Sequence, residues 1–371
     1  MRDLPDPLDQ AGRTVVRWRG REFAYFGGCD YLRMSGHPSV LRALQDGAKA
    51  GGLNVAASRK TTGNHGLYEL LERECARFFG AERAVLLPNG YLTNLAVAQA
   101  LAGRFTHVLL DARAHASLLD AAPAFSARVA GFPHRNPAGL GHALKRLGRA
   151  AKPVVLTDGV FGHDGSVAPL ASYLALLPRD GCILVDDAHG AGVVGRRGRG
   201  TPELEKVSRE RVIQTITFSK AFGVFGGAVL ASRDVCAQIV ARSRAWTGCT
   251  PLPLPVAAAA LASLKTLRAD DSRRVRLAGI TRFVKARLKP AGLEIPDTPA
   301  SIIAITPTAT RHTRRLSQQL VAAGVFPSLI RYPGGPEGGY FRFALSSEHT
   351  LEQLAALVRV LQYNGRQAEV H

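Results

Sequence analysis

Residues 182–189 read CILVDDAH. An apolar run of this length fits a strand buried on both faces, with its polar residues gathered at the carboxyl end. The same rhythm appears on either side of it. RAVLLP (83–88) precedes the helical GYLTNLAVAQALAG (90–103), and HVLLD (107–111) precedes HASLLDAAPAF (115–125). PVVLTDG (153–159) leads to VAPLASYLALLP (167–178), and VIQTITFSK (212–220) and FGGAVLAS (225–232) follow downstream. Strands alternating with helices specify an α/β fold with a parallel or mixed sheet covered by helices. The block runs from about residue 52 to about residue 246.

The flanks differ. TVVRWRGREFAYF (14–26) alternates apolar and polar residues around Arg-Gly and reads as a β-hairpin. HPSVLRALQDGAKA (37–50) has helical spacing, and GLYELLERECARFFG (66–80) is amphipathic and closes on Gly80. WTGCTPLPLP (246–255) breaks the rhythm with three prolines, and one long helical stretch is expected from about 256 to 288. ASIIAITP and YFRFALSS then read as strands, and TRRLSQQLVAAG and TLEQLAALVRVLQYNG as helices, which makes a small α+β domain. The expected organisation is an amino-terminal segment (1–50), a large domain (51–250), and a linking helix with a small carboxyl-terminal domain (251–371).

Composition narrows the function classes. The 371 residues are 46% hydrophobic, with no apolar run long enough to cross a bilayer. The start, MRDLPDPLDQAGR, lacks the pattern of a secretory signal, and a cytoplasmic location is expected. Cys29, Cys75, Cys182, Cys236 and Cys249 are scattered, without a CxxC pair, and read as reduced thiols that form neither a disulfide frame nor a metal site. The formal charge is +19. Its arginines are spread along the chain and aromatic content is only 7%, which argues against nucleic-acid binding. Compositional bias ranks first as its origin, and attraction to an anionic substrate or acidic carrier second.

Gly190, Gly192 and Gly195 form a G-x-G-x-x-G after a strand. A dinucleotide fingerprint must open a helix. The following RRGRGTPE is glycine-rich, so a loop of tight turns is expected.

Ligands of open α/β sheets bind at the carboxyl ends of strands. Four ends carry reactive groups: Asn89-Gly90; Asp111 with His115; Asp186, Asp187 and His189; and Thr217, Ser219 and Lys220. Singly, each has an ordinary explanation, such as a helix-entry turn, a core histidine, a loop cap or a surface lysine. Together they describe a site. A partly desolvated lysine is a nucleophile suited to a Schiff base, and a carboxylate facing a ring nitrogen plus a helix N-terminus and hydroxyls for a phosphate are accessories of pyridoxal phosphate (PLP).

DARAHASLLDAA (111–122), DGVFGHDGSVAPL (158–170), VDDAHGAGVVGRRGRG (185–200) and TFSKAFGVFGGAVL (217–230), in this order, resemble the α-oxoamine synthases, fold-type I PLP-dependent enzymes. The resemblance extends from GGCDYLRMSGHPSV (27–40) to YFRFALSSEHT (340–350). It implies a mixed, mostly parallel sheet covered by helices, a smaller α+β domain and a homodimer, while charge distribution and apolar-run length lead to the expectation of no nucleic-acid partner and no membrane span. It implies condensation of a small amino acid, L-alanine first, with an acyl-CoA or acyl-carrier-protein thioester, usually with decarboxylation. A sphingoid-like or specialised-metabolite synthase is the alternative, as is a PLP aldolase, lyase or aminotransferase on the same fold.

Residue by residue, Lys220 matches the Schiff-base lysine that also moves the α-proton, and Asp186 the carboxylate at the pyridine nitrogen. His189 matches the histidine near the phenolic oxygen, and His115 the one stacked on the ring. Gly90, Tyr91 and Thr217 match phosphate-holding positions, with Asn89 and Ser219 beside them as cofactor-binding candidates. Thr250 matches a phosphate contact to the neighbouring subunit. Arg331 and Arg342 match arginines near the substrate carboxylate. The chain departs from the pattern at Gly162, where serine is usual, at Tyr68, where histidine is usual, and in the run before the prolines at 251–255.

Overall fold

In the computed structural model, which describes residues 5–148, 150–331 and 336–368, the amino-terminal stretch forms a three-stranded antiparallel sheet. Its strands are β1 (Asp9–Gly12), β2 (Val15–Trp18) and β3 (Arg21–Ala24). The hairpin turn places Arg19 and Gly20 at positive φ.

The chain divides into two units, Met34–Phe161 with Val167–Asp271, and Met1–Arg33 with Gly162–Ser166 and Ser272–His371. The first unit begins with α1 (Pro38–Gly51) and α2 (Gly66–Phe79), capped by His37 and His65. Gly80 closes α2 in the left-handed conformation, as its position past the last apolar residue predicts. Then come β4 (Arg83–Leu87), α3 (Gly90–Ala100), β5 (His107–Asp111), α4 (Ala116–Ala121), β6 (Arg128–Phe132), α5 (Pro137–Lys145), β7 (Pro153–Asp158) and α6 (Leu170–Leu176). β8 (Cys182–Asp186), α7 (Thr201–Leu204), β9 (Val212–Thr217), β10 (Gly227–Ala231), α8 (Arg233–Arg242), α9 (Arg244–Thr247) and α10 (Leu254–Ala269) complete it.

Seven of its strands form one sheet in the order β4-β10-β9-β8-β7-β5-β6. β6, β5, β7, β8 and β9 pair in parallel, and β10 is antiparallel to both β9 and β4. Alternate residues feed opposite faces. Val154, Leu156 and Leu184 pack in one apolar cluster with Val97, Leu118 and Phe125, while Val155, Ile183 and Val185 pack in another with Leu140, Leu170 and Tyr173. Burial on both faces is why these strands read as unbroken apolar runs. α1 lies against α10 through small residues, and a Cβ on Gly47 would come within 3.0 Å of Pro255 and Ala258.

The second unit contains the three-stranded sheet already described, α11 (Ser272–Leu288), β11 (Ile302–Ile305), α12 (Thr310–Ala322), β12 (Leu329–Ile330), β13 (Tyr340–Ala344) and α13 (Leu351–Ala368). Its own antiparallel sheet has the order β11-β13-β12. The amino-terminal strands are tied into this unit, because Ala24 bridges Val325 and the Phe26 carbonyl accepts from Ala344 N.

The single helix expected over 256–288 is two helices. Asp270 leaves α10 in an extended conformation (φ −133°, ψ 119°) and α11 begins at Ser272. Asp-Asp-Ser is a run of residues whose side chains compete for backbone hydrogen bonds and favour helix ends. β6 escapes sequence reading because RVAGF is exposed over its first four residues and has no apolar alternation. The 189–200 stretch after β8 is a chain of turns with Gly192, Gly195, Gly198 and Gly200 at positive φ, and it opens no helix at the G-x-G-x-x-G. The YPGG stretch at 332–335 lies outside the described residues.

Candidate active site

The carboxyl ends of β5, β7, β8 and β9 bring the strand-end residues of the first unit together. Asp158 and Asp186 are in-register neighbours on β7 and β8. Asp186 is buried, and its Oδ2 accepts from Asn94 Nδ2 of α3 at 2.7 Å and from Ser117 Oγ of α4 at 3.3 Å. Its Oδ1 accepts from the backbone N–H of Ala188 at 3.1 Å. Asn94, fully buried, also donates to Ser117 Oγ at 2.9 Å, and its Oδ1 accepts from Thr215 Oγ1 at 2.8 Å. One amide therefore joins two helices and two strands around one carboxylate.

Asp158 accepts the backbone N–H of His115 at 2.8 Å. Burial, followed by the neighbouring Asp186 charge, holds the Asp158 carboxyl well above the usual carboxylate range. Burial and the like charge beside it both favour the protonated form of Asp158. His115 caps α4, and its Nδ1 accepts from Ser117 N at 3.2 Å, which leaves the ring proton on Nε2. Burial lowers its pKa and keeps the imidazole neutral. The His115 ring meets the Tyr91 ring edge-on at 6.1 Å. Tyr91 itself is exposed, with its hydroxyl donating to Asp120.

Lys220 follows β9. Its Nζ lies 2.9 Å from His189 Nε2, in the loop after β8. Past Lys220 the chain turns so tightly that Gly223, at φ +65°, abuts the Ser35 backbone where a Cβ would clash. Thr217, the last residue of β9, accepts Ser219 N with its Oγ1 at 3.1 Å and donates to Gly226 O at 3.1 Å. The Asn89-Gly90 turn sits against it. A Cβ on Gly90 would come 2.8 Å from Thr217 Cβ, and one on Gly227 would come 2.8 Å from the Asn89 backbone. Asn89 caps α3 by accepting Leu92 N at 3.0 Å, so Gly90 and Tyr91 begin that helix.

The other sequence-derived residues fall elsewhere. Asp111 is spent on structure, accepting from Arg113 N, Arg135 N and the His134 ring. Asp187 is buried and accepts from Thr201 N and Oγ1 and from Gln214 Nε2, which anchors the glycine loop. Ser219 and Thr250 are exposed. Arg342 and Arg331 belong to the second unit. Arg342 Nη1 donates to Gly162 O at 3.3 Å, and Arg331 is exposed after β12. Next to Gly162, the His163 ring packs on Tyr340 at 4.1 Å.

Sequence reading missed Asn94, Ser117, Asp158 and Thr215. Asp158 carried the available signal, since it closes an apolar strand as Asp186 does. Asn94 and Ser117 sit inside helices and Thr215 inside a strand, where only the fold shows what they face. Among the described residues no group of three or more His, Cys, Asp or Glu is arranged to hold a metal ion.

The aminotransferase class I and II family model matches residues 25–361. The chain is 34% identical over 387 residues to the 8-amino-7-oxononanoate synthase of Thioalkalivibrio sulfidiphilus, covering 100% of this chain and 99% of that protein. It is 37% identical over 358 residues to the enzyme of that name from Xylella fastidiosa, covering 95% and 89%. A solved serine palmitoyltransferase from S. paucimobilis with bound PLP–myriocin superposes with a TM-score of 0.90 at 27% identity, covering 98% of this chain and 94% of that one. The chain belongs to the aminotransferase class I and II family, in its α-oxoamine synthase branch.

Proposed function

We propose that this chain is a PLP-dependent acyltransferase of the 8-amino-7-oxononanoate synthase type. It condenses L-alanine with an acyl-CoA or acyl-carrier-protein thioester and releases carbon dioxide and the free thiol, leaving an α-amino ketone. The observation that carries this reading is the pairing of Lys220 Nζ with His189 Nε2 beside a buried, triply hydrogen-bonded Asp186.

The residues fit the cofactor. Asp186 is a buried carboxylate without a cationic partner of its own among the described residues, as a protonated ring nitrogen requires. Gly90 and Gly227 leave backbone where any side chain would collide with Thr217 or Asn89, a cradle suited to a phosphate at the start of α3. Bound there, PLP would supply an electron sink for the charge that develops at the amino acid's α-carbon.

The protein's own groups do the rest. Asp186 holds a proton on the ring nitrogen, and Asn94 and Ser117 hold Asp186. His115 offers a neutral ring face. Lys220 Nζ takes the α-proton, and His189, 2.9 Å away, orients the amine. In this reading Asn89, Tyr91, Thr217 and Ser219 lie at the cofactor, Thr250 contacts the partner of a homodimer, and Arg331 and Arg342 are the residues proposed for the substrate carboxylate. A cytoplasmic location fits a chain in which, among the described residues, no helix is long and apolar enough to cross a membrane.

Spectral titration of the PLP-loaded protein tests the reading. L-alanine should shift the cofactor band more than glycine or serine, and one acyl thioester of a chain-length series should then release thiol and carbon dioxide in equal amounts. A cofactor band that no amino acid perturbs would overturn the proposal.

A further inference from the structure

The sheet has a second polar end. At the amino ends of β7, β8 and β9, a cavity of about 350 Å³ opens away from Asp186 and Lys220, which close the same strands. Five cations line it, Arg104, Lys152, Arg179, Arg209 and Arg211, against two carboxylates, Asp180 and Glu210. Neither carboxylate pairs with a cation among the described residues. Arg104 pairs with Asp234 at 2.7 Å. Lys152 and Arg179 are exposed, and among the described residues no side chain pairs with either.

Two of the arginines are fixed in place. Arg211 donates to the carbonyls of Leu174, Leu177 and Pro178 at the end of α6. Arg209 donates to Gln214 Oε1 at 2.8 Å, and Gln214 Nε2 donates onward to Asp187 at 2.6 Å. Guanidinium groups held this way need little further ordering to bind an anion. The lining is mostly polar, with a smaller apolar patch where the buried Leu101, Phe105 and Val235 reach the cavity. Ser232, the N-cap of α8, completes the rim.

Like charges collected in one cavity repel one another, and a bound anion relieves that cost. A small apolar patch beside such a rim suits an anion that carries a ring or a short hydrocarbon part. We propose that this amino-end cavity is a binding site for a phosphorylated small molecule of about the size of a nucleoside monophosphate, with its phosphate on Lys152, Arg179 and Arg209 and its apolar part against Phe105 and Val235. The site is independent of the cofactor cradle and of the reaction proposed above.

Calorimetric titration of the PLP-saturated protein with AMP and with pyrophosphate, at 50 mM and 300 mM salt, tests this. AMP should bind, and at the higher salt its affinity should fall several-fold because the contacts are screened. Lys152→Ala/Arg179→Ala should weaken AMP binding about tenfold or more while PLP content and turnover stay unchanged. Both residues are exposed, so the variant should fold, and the single variant Arg179→Glu serves as a check. Absence of AMP binding up to millimolar concentration would overturn the proposal, as would AMP binding that the double variant leaves unchanged. Binding of pyrophosphate without AMP would overturn the part assigned to the apolar patch.

Discussion

β7, β8 and β9 have two ends with opposite chemistry. At their carboxyl ends, Asp158, Asp186 and Thr215 are buried with Asn94, which hydrogen-bonds to both Asp186 and Thr215, while Asp158 accepts the His115 backbone N–H. At their amino ends, Lys152, Arg179 and Glu210 stand in water, with no ion-pair partner among the described residues. Burial sets protonation states at the first end, raising Asp158 and lowering His115. Charges left in water instead keep their reach toward an anion over about a Debye length of 8–10 Å. Chemistry needs fixed, desolvated groups, whereas attraction of an anion needs accessible ones, and a parallel sheet keeps the two apart by the length of its strands.

The largest effect expected from breaking the carboxyl end is at Lys220. Lys220→Ala removes the amine proposed to move the α-proton, and turnover, read as thiol released, should fall about 10³-fold or more. Borohydride should no longer fix cofactor to the chain by mass spectrometry. Retained turnover, or cofactor still fixed, would move the chemistry off this strand end.

A smaller effect is expected from the charge state of Asp187. Burial, the largest cause, pushes its carboxyl up to about 7, against the opposing hydrogen bonds from Thr201 and Gln214. The unfolded chain releases this proton near pH 3.9. Between about pH 4 and pH 7 the native state therefore holds more protons than the unfolded state, and stability falls as pH rises. The gap between a carboxyl near 3.9 and one near 7 corresponds to about 4 kcal/mol across that window. Asp187→Asn lacks the titration, so its stability measured by urea unfolding should change less between pH 4 and pH 7. Parallel curves for the two proteins would show that burial does not control this end of the sheet.

How much was legible in the sequence follows from where each residue sits. Lys220, Asp186 and His189 were legible because each closes an apolar run or lies directly after one, and strand ends are where an α/β sheet puts its ligands. The hairpin, the parallel strands and the Gly80 cap were legible because their signals are local. The break at Asp270 was hidden by helical spacing that continues on both sides of it. The basic cavity was not legible at all. Arg104, Lys152, Arg179, Arg209 and Arg211 are scattered over more than a hundred positions, and a chain of net charge +19 offers no contrast by which to single them out. Only the parallel registry of β7, β8 and β9 brings the residues before each strand together.

Asn94 separates what the strand ends do alone from what the helices contribute. Its hydrogen bonds go to Asp186, Ser117 and Thr215 and not to Lys220 or His189, so it is a positioning residue that acts through Asp186. Asn94→Ala removes one donor to a buried carboxylate and leaves the Thr215 hydroxyl only the longer bond to the Val185 carbonyl at 3.4 Å. Losing a hydrogen bond to a charged group costs about 2 kcal/mol, or about 30-fold in an equilibrium constant. If Asp186 is held for the cofactor's ring nitrogen, that loss should appear as PLP affinity weakened about 30-fold by fluorescence quenching, together with a displaced pH profile of the bound cofactor's absorbance. Asn94→Asp, which sets a second carboxylate against Asp186, should weaken affinity further. A purely structural role would lower the melting temperature of Asn94→Ala while leaving PLP affinity and the pH profile where they are in the parent, and the polar end would then consist of the strands alone.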